Sequence, residues 1–176
     1  TMVKFFGCQT AGEMVADGKK ADLVIGNNVL AQVPDLNDFV GAIRIVLKRR
    51  GVATLEFPHL MRLMEENQYD TIYHEHFSYF SLIAAEKIFA AHRLLLFDVE
   101  ELPTHGGSLR IYLRRLEDSS EPPTPAVENL RTRELAAGLD RMETYADFAN
   151  AVIESKRALL DLLIRLRREG KSVAGY

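Results

Sequence analysis

The stretch "ADLVIGNNVLAQVPDLNDFVGAIRIVLKRRGVATLEFP", residues 21 to 58, decides the fold. "ADLVIGNN" is a short continuous apolar run closed by Gly26, Asn27 and Asn28, the pattern of a strand buried inside a parallel sheet. In the segment that follows, Leu36, Phe39, Val40, Ile43, Val46 and Leu47 recur at helical spacing, with Asp35 at the N-cap position and Gly51 placed to close the helix. "VATLEFP" then reads as a second strand, ended by Pro58. Strand, helix and strand in this order predict a βαβ unit with a right-handed crossover.

Working outward, "SLIAAEKIFAAHRL" is an amphipathic helix with Ser81 at its N-cap and Leu82, Ile83, Ile88 and Phe89 on the buried side. "LLLFDVEEL" and "SLRIYLRRL" alternate as strands and are joined by "PTHGG", which predicts an antiparallel pair at a sheet edge. Upstream, "VKFFG" reads as a strand entering a loop. The expected fold class is therefore α/β, a mostly parallel partial sheet finished by an antiparallel hairpin and followed by C-terminal helices. Residues 117–125, "EDSSEPPTP", mark a linker between this region, 1–116, and a helical segment, 126–176. That segment holds helices near 126–138 and 144–168, the second with a stripe of Phe148, Val152, Leu159, Leu162, Leu163 and Leu166. Such a stripe ordinarily packs on its parent domain; a homo-oligomer through these helices is the alternative. "KSVAGY" resembles a strand just beginning, so the sequence is expected to be a fragment of a longer protein.

Composition sets bounds on function. With 176 residues, 47% hydrophobic and 27% charged, the chain has the balance of a soluble globular protein. No apolar run approaches the roughly 20 residues of a spanning helix, and no signal-peptide pattern opens the sequence, so a cytoplasmic protein with no membrane partner is expected. The net charge of −3 and the placement of Lys48–Arg50 and Arg165–Lys171 at predicted helix ends argue against a nucleic-acid face. A lone cysteine, Cys8, rules out an internal disulfide and a zinc site of several cysteines; it is read as a small core residue.

Two segments concentrate chemistry. "YDTIYHEHFSYFS", residues 69 to 81, crowds Tyr73, His74, Glu75 and His76 among aromatic rings. An extended backbone places Tyr73 and His76 on opposite faces, whereas a helical turn brings them together at i and i+3. A metal held by His74 and His76 with His59 or His105 lacks a third ligand at helical or hairpin spacing, and no metal is expected. "THGGSLR" offers two glycines that permit close backbone approach, beside donors on Thr104, His105, Ser108 and Arg110. As a plain hairpin turn it needs no ligand.

"ADLVIGNNVLAQVPDLNDFV", "TIYHEHFSYFS" and "FDVEELPTHGGSLRIYL", in this order, resemble the class I S-adenosylmethionine-dependent C-methyltransferases that act on nucleotide-linked 4-keto deoxysugars, of the mycarose 3-C-methyltransferase type. The resemblance implies an N-terminal zinc-binding domain and a Gly-rich cofactor loop, neither of which matches any part of these residues. It implies His76 as general base, Tyr73 beside it in proton exchange, and Glu75 in contact with sugar or base. It also puts the turn beside a sugar nucleotide, with His59, His105, Ser108 and Arg110 as substrate contacts. S-adenosylmethionine is expected at the carboxyl ends of the strands, at Phe6, Gly7, Asn27, Asn28 and Val29. The sequence departs from the family at Gln32, where histidine is usual, at Arg49 and Arg50, in place of a Pro-Gly turn, and at Arg93, in place of a helix-ending glycine. A nucleotide-sugar binding module without turnover is the competing expectation.

Overall fold

A computed structural model describes residues 1–118 and 122–175. Four strands form one sheet in the order β1 (Ala21–Asn27), β2 (Leu47–Pro58), β4 (Ser108–Arg115), β3 (Leu94–Leu102). β1 pairs parallel with β2, while β4 runs antiparallel to both β2 and β3, so three strands share one direction. The α/β reading and the hairpin are thus both present. The hairpin lies at the sheet edge as expected, joined to β2 through its second strand β4, with β3 outermost.

Local chemistry explains the element boundaries. Helix α2 (Leu36–Val46) starts where the Asp35 carboxylate accepts from the Asp38 amide at 2.9 Å. It ends at Val46, not at Gly51, because Leu47 turns directly into extended backbone with ψ 128° and begins β2. Lys48, Arg49 and Arg50 therefore lie in a strand instead of at a helix end. Gly51 serves another purpose: a Cβ there would lie 2.9 Å from the Ala21 carbonyl oxygen, so only glycine lets β1 come this close.

At the start of the chain the predicted strand Val3–Gly7 is absent. Those residues lead into helix α1 (Cys8–Ala16), which buries Ala11 against Ala42 and Val46 of α2. Cys8 is only partly buried, and its Sγ lies 3.3 Å from the Asp38 carbonyl. Phe6 packs edge-on against Phe39, while Phe5 is fully exposed.

Alternation assigns one sheet face to the core. Ala53, Leu55 and Phe57 of β2, Leu109, Ile111 and Leu113 of β4, and Leu94, Leu96 and Val99 of β3 join Val40 and Ile43 of α2. Helix α4 (Leu82–Ala91) adds Leu82, Ala85 and Phe89, and helix α5 (Pro125–Ala136) adds Val127 and Leu130. Each fully buried Leu or Phe contributes roughly 1.5–3 kcal/mol. On the other face Leu23 and Ile25 stay more than half exposed.

A buried carboxylate ties these helices together. Glu134 of α5 has no exposed surface; its Oε1 accepts from the Leu82 amide at 2.7 Å and its Oε2 from the Ile83 amide at 2.9 Å. The Ala84 amide donates to Ser81 Oγ, so the first three amides of α4, which no turn of helix can satisfy, all have partners. The same Oε1 accepts from Nε2 of His59, which is 1% exposed and stands just before the short helix α3 (Leu60–Glu65).

The chain divides into two compact units, Thr1–Asp140 and Arg141–Tyr176, so α5 lies within the first. Of the predicted linker, Leu116–Asp118 form a turn of 3-10 helix and Pro125 opens α5, while Ser119, Ser120 and Glu121 fall outside the described residues. The second unit holds helix α6 (Met142–Arg168), none of whose residues is buried; Leu159, Leu160 and Ile164 are about half exposed. Residues 171–175 have no regular structure, and Tyr176 lies outside the described residues. No helix among the described residues is long and apolar enough to cross a membrane.

Two outcomes test this account. Arg93 adopts φ +58°, a left-handed conformation that a Cβ disfavours. Replacing it with glycine should raise stability by about 0.5–1 kcal/mol in urea denaturation, even after the added chain entropy. Glu134→Ala should cost about 3 kcal/mol or more by the same measurement, because it strands two helix amides and the His59 N–H in the interior.

Candidate active site

The aromatic segment is anchored at both ends. Leu60 donates its amide to the Phe80 carbonyl, and the amides of Phe77 and Ser78 both donate to the Ala31 carbonyl, at 2.8 and 3.3 Å. Ala31 belongs to the 3-10 turn that follows β1, so the segment is held over the carboxyl end of that strand. Between these anchors the backbone turns: the His76 amide donates to the Tyr73 carbonyl at 3.1 Å. Of the two geometries open to the sequence, the turn is the one adopted, and it stacks the Tyr73 and His76 rings at 4.5 Å between centroids.

The bonds around His76 set its tautomer. Nδ1 lies 3.0 Å from the Thr71 carbonyl oxygen, which can only accept, so Nδ1 carries the hydrogen and Nε2 keeps the lone pair. The Tyr73 hydroxyl lies 3.4 Å from Nε2 and is the donor to it. Tyr79 meets the imidazole edge-on, and its hydroxyl donates to the same Thr71 carbonyl at 3.5 Å. Burial pushes the Tyr79 phenol above its ordinary range, which keeps that donor protonated. Tyr73, His74 and Glu75 are exposed and His76 is half-buried, so the lone pair is reachable from solvent.

A second group forms at the strand tips. Asn28, in a left-handed conformation, donates its amide N–H to the Glu56 carbonyl, and its side-chain Nδ2 donates to His105 Nε2 at 3.2 Å. His105 is left-handed as well, at φ +53°. Two residues of left-handed backbone thus meet where β1 faces the turn between β3 and β4, the kind of place where backbone strain accompanies function. Behind them Glu56, 5% exposed, accepts from Arg110 at 2.9 Å and from the Thr104 hydroxyl at 3.2 Å. The bond to Glu56 raises the Arg110 pKa above its usual value.

The structure thus sorts the residues singled out in the sequence. Tyr73 and His76 are brought together, as are Asn28 and His105, and Asn27 is exposed beside them. Val29 packs against the core, and Phe6 turns into it. Gly7 is the extended residue before α1, and a Cβ on it would strike the Asp38 carboxylate. Ser108 is buried with its hydroxyl donating to the Thr104 carbonyl, and His59 is buried on Glu134. Arg110 is spanned between Glu56 and Glu100. Two residues escaped sequence reading as site components: Thr71, whose contribution is a backbone oxygen, and Tyr79, one ring among several in the aromatic segment. Glu56 stands at the carboxyl end of its strand, where a ligand of an open sheet is expected.

Residues 103–176 match the family model for the C-methyltransferase C-terminal domain. The chain is 32% identical over 171 residues to the C-methyltransferase NovU of Streptomyces niveus, covering 97% of this chain and 40% of that protein. The chain therefore spans about two fifths of the length of the curated relative it matches. Among solved structures it is similar to magnesium protoporphyrin IX methyltransferase of Synechocystis PCC 6803 with bound SAH, at 15% identity, covering 56% of this chain and 46% of that one with a TM-score of 0.45. It is also similar to the complex between the Haloferax volcanii Trm112 methyltransferase activator and the putative methyltransferase, at 12% identity, covering 55% of each with a TM-score of 0.46. The resemblance carried by the aromatic segment and the glycine turn is borne out at this level: by sequence, the chain is similar to a stretch of a C-methyltransferase.

Proposed function

We propose that these residues form the base-bearing part of an S-adenosylmethionine-dependent C-methyltransferase whose substrate is a nucleotide-linked keto-deoxysugar. The observation that carries the reading is the hydrogen-bonded line from the Thr71 carbonyl through His76 to the Tyr73 hydroxyl. It leaves an imidazole lone pair at the open end of an α/β sheet, where ligands of such sheets bind.

Carbon becomes nucleophilic next to a ketone only when a proton is removed. His76 Nε2 takes that proton, the C–H bond breaks, and its electron pair moves into an enolate whose negative charge lies largely on the former carbonyl oxygen. The 3.4 Å contact with Tyr73 is long, so substrate displaces the hydroxyl from Nε2 and leaves it free to donate to the enolate oxygen. Thr71 accepts from Nδ1–H throughout, which stabilises the imidazolium once it forms and keeps the ring in place. The proton then leaves to solvent on the exposed side, past His74 and Glu75.

The exposed amides of Asn27 and Asn28 fit a ligand with amino and carboxylate groups, and they lie at the strand end expected of a cofactor contact. S-adenosylmethionine bound there supplies an electrophilic methyl group on sulfonium sulfur. His105, held by Asn28, borders the same place, which supports its reading as a substrate contact. The bonded Arg110 and the buried Ser108 and His59 act from behind, shaping the turn.

The exposed stripe of α6 favours a further role in self-association. Light scattering decides it: a dimer that dissociates in the double variant Leu159→Glu, Leu163→Glu supports that role, and a monomer before and after substitution removes it.

In the full-length enzyme, His76→Ala should abolish exchange of the sugar's acidic proton with deuterated solvent while cofactor affinity stays unchanged. Tyr73→Phe should slow the exchange by roughly 10²-fold, in the range of a lost acid–base or oxyanion partner. Exchange at the wild-type rate in His76→Ala would remove the base from the mechanism.

A further inference from the structure

The end of the sheet opposite the candidate base carries a feature that methyl transfer does not use. Ala21 of β1 pairs with Leu47 of β2 and Leu23 with Val52, so four residues, Lys48, Arg49, Arg50 and Gly51, stand opposite Asp22 alone. A bulge of this kind re-aims side chains that a regular ladder would hold in alternation. Because these cations lie in a strand, they do not offset a helix terminus either.

Beside the bulge lies a cleft of about 250 Å³, walled by Arg49, Arg50, Phe97, Arg114 and Asp118. Three guanidinium groups thus meet one carboxylate, in a protein whose net charge is −3. The Arg114 guanidinium lies 4.8 Å from the centroid of the Phe97 ring, a cation–π contact that uses the face of the group and not its N–H edge. Arg49 meets Asp118 through Nε at 3.2 Å, a bond that does not engage its two terminal amino groups, and its side chain is 80% exposed. Arg50 is exposed as well, whereas the neighbouring Lys48 turns to Asp22 at 2.6 Å.

Guanidinium groups brought together from the bulge of β2 and from β4 suit the oxygens of a phosphate, which each planar fork can take in pairs. The volume sets the size of the ligand. It falls below the roughly 300–1,000 Å³ of pockets for drug-sized molecules, so a nucleoside does not fit there together with its phosphates. We propose that this cleft binds a small phosphate-bearing anion, of the size of inorganic diphosphate, between Arg49, Arg50 and Arg114. The inference does not rest on the methyl-transfer reading, because the cleft lies at the start of β2 while Tyr73 and His76 sit over the carboxyl ends of the strands.

Inorganic diphosphate, inorganic phosphate, acetate and ADP are titrated into the whole protein at low ionic strength while the arginine Nε–H resonances are followed. Diphosphate should bind with Kd on the order of 0.1–1 mM, phosphate and acetate roughly tenfold more weakly, and ADP no more tightly than diphosphate. The double variant Arg49→Gln, Arg50→Gln should weaken diphosphate binding by about tenfold or more, and Arg50→Lys, which keeps the charge without the fork, by about threefold. Both positions are exposed, so the amide spectrum of each variant should stay that of the folded protein. Arg165→Gln, Arg168→Gln removes the same charge from exposed positions of α6 and should leave the affinity unchanged. An Arg114 signal that ignores diphosphate, tighter binding of ADP or of a single-stranded oligonucleotide, or equal losses of affinity in the two double variants would overturn the proposal.

Discussion

One carboxylate, that of Glu134, fixes the positions from which everything else is measured. It holds the first two amides of α4 and the imidazole of His59 at once, from a helix that is not sequence-adjacent to either. His59 and Leu82 bracket the segment that contains Tyr73 and His76, so this single group sets both ends of the candidate base loop. The helix N-terminus presents amide hydrogens and partial positive charge to this carboxyl group, which has no exposed surface.

Within that frame the loop needs little of its own. Three backbone amides aimed at two carbonyls, Ala31 and Tyr73, give it a turn, and the Thr71 oxygen gives the imidazole an orientation. None of these acceptors is a side chain. The arrangement is polar in function and nearly anonymous in sequence, since any residue at position 31 or 71 offers the same carbonyl.

That contrast explains what could be read from the sequence. Asp35 and Ser81 were legible as N-caps because the side chain and the amide it receives are three residues apart. The βαβ unit and the hairpin were legible because periodicity of burial is local. Gly51 was misjudged because its role is to let a distant strand approach, and α1 was missed because the short apolar run before it looked like a strand. Glu134 was invisible for the same reason: its partners lie 52 and 75 residues away. In the site, position along the strands brought Asn28 forward and the glycine turn brought His105, but neither could tell that the ring of His59 turns inward or that Arg110 is already bonded to Glu56.

The interleaved position of β4 bears on how the chain is made. Its partner β2 ends at Pro58, yet β4 begins only at Ser108, so every stage of synthesis short of that point leaves one long edge of β2 without hydrogen-bonding partners. That edge carries Leu55 and Phe57, later sealed in the interior. Nascent chains stopped between these two strands expose an adhesive margin of the type that recruits chaperones or joins to its own copies. Of the four described strands, the latest to leave the ribosome is thus also the one that makes the earlier ones safe.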